Sequence, residues 1–71
     1  MPTKVINNRL DQFFGQFSNV QYAVNTLLDD MDTYGIVDVT ASKLLALASC
    51  HSASQNERLN AAKAAFKRIF N

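Results

Sequence analysis

The fold class of this chain follows from one stretch, SNVQYAVNTLLDDMDTYG, which spans residues 18–35. Its apolar residues recur every three or four positions, as they do along the buried side of an amphipathic helix. These residues are Val20, Ala23, Val24, Leu27, Leu28, Met31 and Tyr34. Ser18 and Gln21 have the spacing of a capping box, and Gly35 suits the left-handed residue that follows a last helical turn. The stretch therefore predicts a helix that begins at Asn19 and stops before Gly35.

The preceding segment predicts a helix over about residues 4–17. Its apolar side is formed by Ile6, Leu10, Phe13, Phe14 and Phe17. Thr3 is the expected N-cap, because a threonine hydroxyl can accept an amide of the first turn. Gly15 weakens this helix, since an interior glycine costs about 1 kcal/mol relative to alanine.

The segment after Gly35 predicts a connector and a third helix. The apolar residues of the connector are Ile36, Val37 and Val39. They are too few for a sheet, so we expect an extended segment whose side chains fill the core. Thr40 would cap a helix over about residues 41–50, followed by a turn at residues 51–53. The predicted inward side of this helix comprises Leu44, Leu45, Leu47 and Ala48.

The last segment predicts a fourth helix over about residues 55–70. Ser54 and Glu57 form the clearest capping box in the chain. The predicted inward side comprises Leu59, Ala62, Phe66, Ile69 and Phe70. Three alanines, Ala61, Ala64 and Ala65, lie beside that side and would allow close approach by another surface.

Together these elements predict an all-α fold, a compact bundle of three to four short helices that forms a single helical domain over residues 1–71. A chain of 71 residues leaves no room for a second domain. One proline and two glycines are too few for the turns of a β-sandwich. The expected core comprises Leu10, Phe13, Phe17, Val24, Leu27, Met31, Leu44, Leu45, Leu59, Phe66 and Ile69.

Charge is divided unevenly along the chain, although the net charge is only +1. Residues 1–40 hold five aspartates against two cations, whereas residues 41–71 hold five cations against one glutamate. Such a dipolar chain can pair internally or meet two kinds of surface. Cys50 is the single cysteine, and no apolar run approaches the length of a membrane span. We therefore expect a cytoplasmic protein that does not enter a membrane.

Residues 30–38, DMDTYGIVD, resemble part of an EF-hand calcium loop, with acids at positions 1, 3 and 9 and glycine at position 6. However, Tyr34 stands where a short oxygen-bearing side chain belongs, and Ala41 stands where a glutamate should close the site. The acids at this helix end are Asp29, Asp30 and Asp32. We interpret them as solvated residues that pair with the basic last helix or form a patch for a cationic partner.

Residues 40–60 resemble the helix-turn-helix of bacterial repressors, with residues 48–52 as the turn and Leu59 as the buried leucine of the recognition helix. Ser49 replaces the usual turn glycine, and Gln55 replaces a buried aliphatic residue. The resemblance implies contacts with duplex DNA through Gln55, Asn56, Arg58 and Lys63.

The sequence predicts no catalytic, cofactor or metal site. Cys50 and His51 are adjacent, and neighbouring residues diverge on a helix, so they do not suggest a nucleophile and its base. One Cys and one His also fall short of a closed zinc site. We interpret Cys50 as a small buried apolar residue and His51 as a solvated residue at a helix end.

The leading functional hypothesis is a small non-enzymatic protein–protein interaction module, alone or as a homodimer. It would be an adaptor or inhibitor that masks a surface of a larger partner, as compact phage proteins do. The alternative is a helix-turn-helix DNA-binding regulator, which is less favoured because dedicated DNA-binding modules are usually more basic. The candidate partner-binding residues are Asp29, Asp30, Asp32, Tyr34, Arg58, Lys63, Lys67 and Arg68.

Overall fold

The structure is a computed structural model that describes residues 2–70, with side chains from residue 9 to residue 70. The helices are α1 (Pro2–Gly15), α2 (Val20–Thr33), α3 (Val39–Ala48) and α4 (Gln55–Ile69). No strand occurs in residues 2–70. The predicted all-α bundle is confirmed, and its Cα radius of gyration is 11.6 Å.

The first helix differs from the prediction at both ends. Thr3, the predicted cap, lies within α1, and Pro2 takes the first helical position, where its missing N–H removes no helical hydrogen bond. At the other end, the amides of Gln16 and Phe17 each donate to the carbonyl three residues earlier, at 3.3 and 3.4 Å. These tighter bonds end the helix at Gly15 rather than Phe17. The predicted inward position of Ile6 lies outside the described side chains.

Two predicted caps are wrong by one or two positions. Asn19, not Ser18, caps α2, because its Oδ1 accepts the Tyr22 amide at 3.2 Å. Likewise Asp38, not Thr40, caps α3, since its Oδ1 accepts the Ala41 amide at 2.9 Å. In both cases an Asn or Asp, which are among the strongest N-cap residues, supplies the acceptor.

Ser54 caps α4 as predicted. Its Oγ accepts the Glu57 amide at 3.1 Å, and its hydroxyl lies 3.2 Å from Glu57 Oε1. The predicted turn at residues 51–53 is confirmed as well, and α4 ends at Ile69, one residue before the predicted end.

Gly35 ends α2 in the predicted left-handed conformation, with φ of 64°. Its amide donates to the Asp32 carbonyl at 3.2 Å, and the next amide, of Ile36, donates to the Met31 carbonyl at 2.8 Å. This pair of bonds is a Schellman motif, which satisfies carbonyls that a helix end otherwise leaves without partners. The chain thereby turns sharply from α2 toward α3.

The core is formed mainly by α2, α3 and α4. The most extensive packing is between α3 and α4. Its buried side chains are Leu10, Val20, Ala23, Val24, Leu27, Met31, Ala41, Leu45, Ala48, Ala61, Ala62, Ala65 and Phe66. The predicted core residues Phe13, Phe17, Leu44, Leu59 and Ile69 are only half-buried. Alanines on α3 and α4 take much of the core instead, because their small side chains let the two helices approach closely.

The phenylalanines join α1 to α4. The ring of Phe13 lies 5.1 Å from those of Phe14 and Phe17 and 5.0 Å from that of Phe66, measured between centroids. Phe70 packs on Phe66 at the same 5.0 Å. These are ordinary distances for tilted and edge-on aromatic pairs. The predicted core position of Phe66 is confirmed, Phe13, Phe14 and Phe70 are partly buried against the core, and Phe17 contacts Phe13 without joining the core.

Candidate functional site

An open apolar groove lies between the end of α2 and the outward side of α3. Its volume is about 380 Å³. It is lined by Met31, Ile36, Val37, Asp38, Val39, Ser42, Lys43 and Ala46. Val37 and Val39 are 94% and 65% exposed. The prediction that these two connector valines fill the core is therefore wrong, and only Ile36 packs against the core.

The groove is open because α3 is apolar on two sides. Its inward residues are Ala41, Leu45 and Ala48, all buried. Its outward residues are Val39, Lys43, Ala46 and Leu47, which follow helical spacing and are all exposed. Leu47 is 43% exposed, so its predicted inward position is wrong. Val39, Ala46 and Leu47 thus leave apolar surface exposed on a helix whose other side is already buried in the core.

The other wall of the groove comes from α2, which runs antiparallel to α3. Near the start of α2, Gln21 Nε2 lies 3.5 Å from Ser49 Oγ, just beyond the end of α3. Near the end of α2, Met31 shares the groove with Ser42, close to the start of α3. Leu28 follows Gln21 by seven residues, two helical turns, so it lies on the same side of α2. It is 45% exposed and extends the apolar surface toward the middle of both helices.

One acidic residue follows the same side of α2 as Leu28. Asp32 follows Leu28 by four residues and Gln21 by eleven, so it continues the stripe that faces α3. Asp32 is exposed there, whereas Asp29 follows Tyr22 by seven residues and is exposed on a different side of α2. The last turn of α2 contains no basic residue, and the helix dipole adds negative potential there. The acidic end of α2 is thus electrostatically suited to a cation.

The remaining predicted acid, Asp30, belongs to a different surface. It is half-buried and lines a cavity of about 230 Å³ together with Arg9, Gln12 and Phe70, on the α1 side of the molecule. Tyr34 is 67% exposed and occupies the C-cap of α2. The structure therefore separates Asp30 from Asp32.

Within the described side chains, one ion pair is formed, between Asp38 and Arg68. Arg68 Nε lies 3.1 Å from one carboxylate oxygen of Asp38 and 3.2 Å from the other. The amide of Ala41 and the Arg68 guanidinium lower the pKa of Asp38 below its ordinary value. The predicted pairing with the basic last helix is thus made by Asp38 and not by the acids at the end of α2. Asp38 caps α3 instead of serving a calcium loop, and no group of three or more His, Cys, Asp or Glu in the described residues is placed to hold a metal ion.

Arg58, a predicted partner-binding residue, is engaged within the molecule. Its Nε donates to the Ala48 carbonyl at 2.8 Å, and its Nη2 donates to Gln21 Oε1 at 3.3 Å. The guanidinium thereby joins α4 to the end of α3 and to the start of α2. It also satisfies a terminal carbonyl of α3, where the helix dipole favours a cation. No spacing rule in the sequence indicates this contact, because it joins residues on three different helices.

The other predicted cations are spread over α4. Lys67 is exposed, Lys63 is half-buried beside Phe14 and Phe17, and Arg68 points toward Asp38 on another side of the helix. The eight predicted partner-binding residues therefore do not form one patch. The groove residues Val37, Val39 and Ala46 were missed, although the excess of apolar residues in the third helix is a signal that could have indicated them.

The thiol of Cys50 contacts the neighbouring turn. It is half-buried, not buried as predicted, and shares a hydrogen bond of 3.0 Å with the Ser52 hydroxyl. This hydrogen bond is the main reason that the pKa of Cys50 falls below its ordinary value. His51 is exposed, as predicted.

Comparison with known proteins adds no functional assignment: no protein-family model, curated protein or solved structure matches this chain. Within residues 2–70, no helix is long and apolar enough to cross a lipid bilayer.

Proposed function

We propose that this protein is a non-enzymatic protein-binding module, an adaptor or inhibitor that masks a surface of a larger partner by docking it onto the α2–α3 groove. The observation that carries the proposal is the exposure of Val37 and Val39 beside Met31 and Ile36. Continuous exposed apolar surface with a polar border is characteristic of interaction sites on soluble proteins. Single exposed apolar residues are common, but here they adjoin one another along one groove.

The shape of the groove favours a macromolecule over a small ligand. Its volume of about 380 Å³ falls at the lower end of small-molecule pockets, which range from about 300 to 1,000 Å³. However, such pockets bury most of the ligand, whereas this groove is bordered by a valine that is 94% exposed. A small ligand here would remain largely in water, while a protein surface could cover both walls at once.

A photo-crosslinking experiment tests this function. A benzophenone amino acid replaces Val37 in the full chain, and the matched control carries it at Tyr22, which is 55% exposed on the opposite side of α2. We expect a discrete protein adduct from position 37 that is absent from position 22. The adduct should disappear when Val39→Asp is added, a change that the first turn of α3 tolerates because acids are favourable there. Equal adducts from both positions, or adducts insensitive to Val39→Asp, would overturn the proposal.

A second candidate function, binding to duplex DNA, has one observation in its favour. Asn56, Asn60, Lys63 and Lys67 recur at spacings of four, three and four residues, so they share one side of α4. Asparagine can pair with adenine, and lysine neutralises phosphates. Against this, Arg58 is directed inward, and residues 49–54 form a longer turn than a helix-turn-helix usually has.

Salt-dependent binding to a random-sequence duplex distinguishes this candidate. DNA binding by α4 predicts an affinity that falls steeply with salt and is reduced by Lys63→Ala together with Lys67→Ala. The absence of complex at low salt would exclude this candidate and leave the groove as the functional surface.

A further inference from the structure

We propose that a cavity between α1, α2 and α4 binds a small aromatic carboxylate, with the ligand's ring against Phe14 and Phe17 and its charge at Lys63. This cavity shares no lining residue with the α2–α3 groove, so the inference goes beyond the proposed function. It is carried by the lining of the cavity, by the surroundings of Lys63, and by the size of the space.

The lining combines an apolar floor with a polar mouth. The cavity has a volume of about 260 Å³. Its apolar lining residues are Phe14, Phe17, Val20, Ala23 and Leu59, and its polar ones are Ser18, Asn19, Gln55 and Lys63. Val20 and Ala23 are buried, whereas Ser18, Asn19 and Gln55 are exposed. Concave apolar surface with a few convergent polar groups is the usual composition of a small-molecule site.

The aromatic part of the floor is available to a ligand. Phe17 is half-buried and contacts Phe13, with 5.1 Å between the ring centroids, but it does not belong to the core. Phe14 is also half-buried and is fixed by Phe66, with 5.9 Å between the ring centroids. A third aromatic ring can pack on these two in a stacked or edge-on arrangement. The floor therefore favours a ligand with a flat apolar ring.

The charge of the cavity comes from Lys63, which is half-buried. Lys63 follows Gln55 by eight residues and Leu59 by four, so all three lie on one side of α4. No Asp or Glu among the described lining residues faces it, and the ion pair formed within residues 9–70 involves other residues. Residues 1–8 contain no Asp or Glu. A lysine whose stem lies on apolar surface keeps its ammonium at the mouth, where it can meet an anion.

The size and charge of the site select among anions. A volume of about 260 Å³ lies just below the range of about 300–1,000 Å³ for drug-sized ligands, which favours a single ring. One lysine balances one negative charge. A phosphate carries about −1.5 to −2 at pH 7, so a monoanionic carboxylate matches this site better. The exposed amide groups of Asn19 and Gln55 can donate hydrogen bonds to the carboxylate oxygens.

The test uses the full isotopically labelled chain and three probes with one ring each: phenylacetate, phenylacetamide and phenethylamine. They carry a negative charge, no charge and a positive charge. We expect phenylacetate to cause saturable amide shifts in residues 17–23 and 59–63. It should bind at least about threefold more tightly than phenylacetamide, as expected for one partly exposed ion pair, and phenethylamine should bind most weakly. Acetate alone should cause no saturable shift there.

Matched variants locate the charge and the ring. Lys63→Met keeps the aliphatic stem and should abolish the preference for phenylacetate over phenylacetamide. Lys67→Met removes the same charge one turn later, at an exposed position, and should preserve that preference. Phe17→Ser should weaken every aromatic probe, and because its ring lies outside the core the variant should keep native amide shifts elsewhere. Tyr22→Ser removes a ring that is 55% exposed on another side of α2 and should change nothing.

Equal affinity for phenylacetate and phenylacetamide, or equal effects of Lys63→Met and Lys67→Met, would overturn the carboxylate site. Acetate shifts as large as those of phenylacetate would overturn the role of the rings. Without saturable shifts in the lining residues, the cavity is not a ligand site. None of these results changes the crosslinking test of the α2–α3 groove, so the two proposals can fail separately.

Discussion

Two sides of α3 carry apolar residues, but the structure buries one side and leaves the other exposed. The inward side, with Ala41, Leu45 and Ala48, is buried against α4. The outward side remains exposed, with Val39 in the groove and Leu47 outside it. Hydrophobicity alone therefore does not decide which side is buried. Small residues decide it, because alanines on both helices permit the close approach that buries Leu45. Stability and partner binding should accordingly depend on different sides of one helix.

The largest expected effect compares two leucines on α3. Leu45→Ala removes a side chain that is 1% exposed and should lower the free energy of unfolding by about 2–5 kcal/mol. Leu47→Ala, at a position 43% exposed, should lower it by less than about 1 kcal/mol. Urea denaturation measures both. Leu45→Val provides a milder change if the alanine variant does not fold. Equal losses at the two positions would contradict the division between the sides of α3.

The next effect concerns Arg58, which links the start of α2 to the end of α3. Arg58→Met keeps the aliphatic stem but removes the donors to Ala48 and Gln21. The lost charged hydrogen bonds should lower the free energy of unfolding by about 1–2 kcal/mol. Lys67→Met, at an exposed position on the same helix, is the control and should have little effect. Amide shifts of α2 and α3 show whether the groove changes with the link; a stable Arg58→Met variant with native shifts would argue against this role.

A smaller effect is expected at Gly35, where the chain leaves α2 to form the floor of the groove. A side chain at φ of 64° is strained, so Gly35→Ala should cost about 1 kcal/mol. Gly15→Ala is the matched control, because a Cβ there meets nothing within 4 Å and φ is not positive. That change should stabilise α1 by a few tenths of a kcal/mol. Thermal unfolding of the two variants should shift in opposite directions; a shift in the same direction would contradict the role of Gly35.

The type and order of the helices could be predicted from the sequence, because periodicity and turn residues mark them well. The caps of α2 and α3 could not, since each lies among competing candidates: Ser18 beside Asn19, and Asp38 near Thr40. All four side chains can accept an amide hydrogen bond, so the choice depends on where packing starts the helix.

The groove was even less accessible to sequence reasoning. The third helix has more apolar residues than one side requires, and periodicity does not tell which of two apolar sides meets the rest of the chain. The contacts of Arg58 could not be predicted either, because its partners Ala48 and Gln21 come from two other helices. The sequence identified the end of α2 as an acidic segment. Only the structure shows that this segment adjoins an apolar groove.

The last prediction contrasts two aspartates, Asp38, which the fold uses, and Asp29, which is exposed near the end of α2. Asp38 has a lowered pKa because its carboxylate accepts the Ala41 amide and pairs with Arg68. The charged form therefore stabilises the fold above the ordinary carboxyl value of 3.8, and this contribution is lost as pH falls through the lowered value. Asp38→Asn keeps a cap acceptor but removes the charge, so it should destabilise the protein near neutral pH, and its difference from the unchanged protein should shrink as pH falls below 3.8 through the lowered pKa.

Asp29→Asn is the control for this measurement, because an exposed carboxylate near the C-terminus of α2 opposes the helix dipole. Its removal should leave stability unchanged or slightly raise it, which is the opposite sign. Urea denaturation of the three proteins at several pH values gives both results. If the difference in unfolding free energy between Asp38→Asn and the unchanged protein does not shrink as pH falls, the charge of Asp38 does not stabilise the fold. A loss of stability in Asp29→Asn would show that this carboxylate serves the fold, which would remove the reason to assign it to a partner.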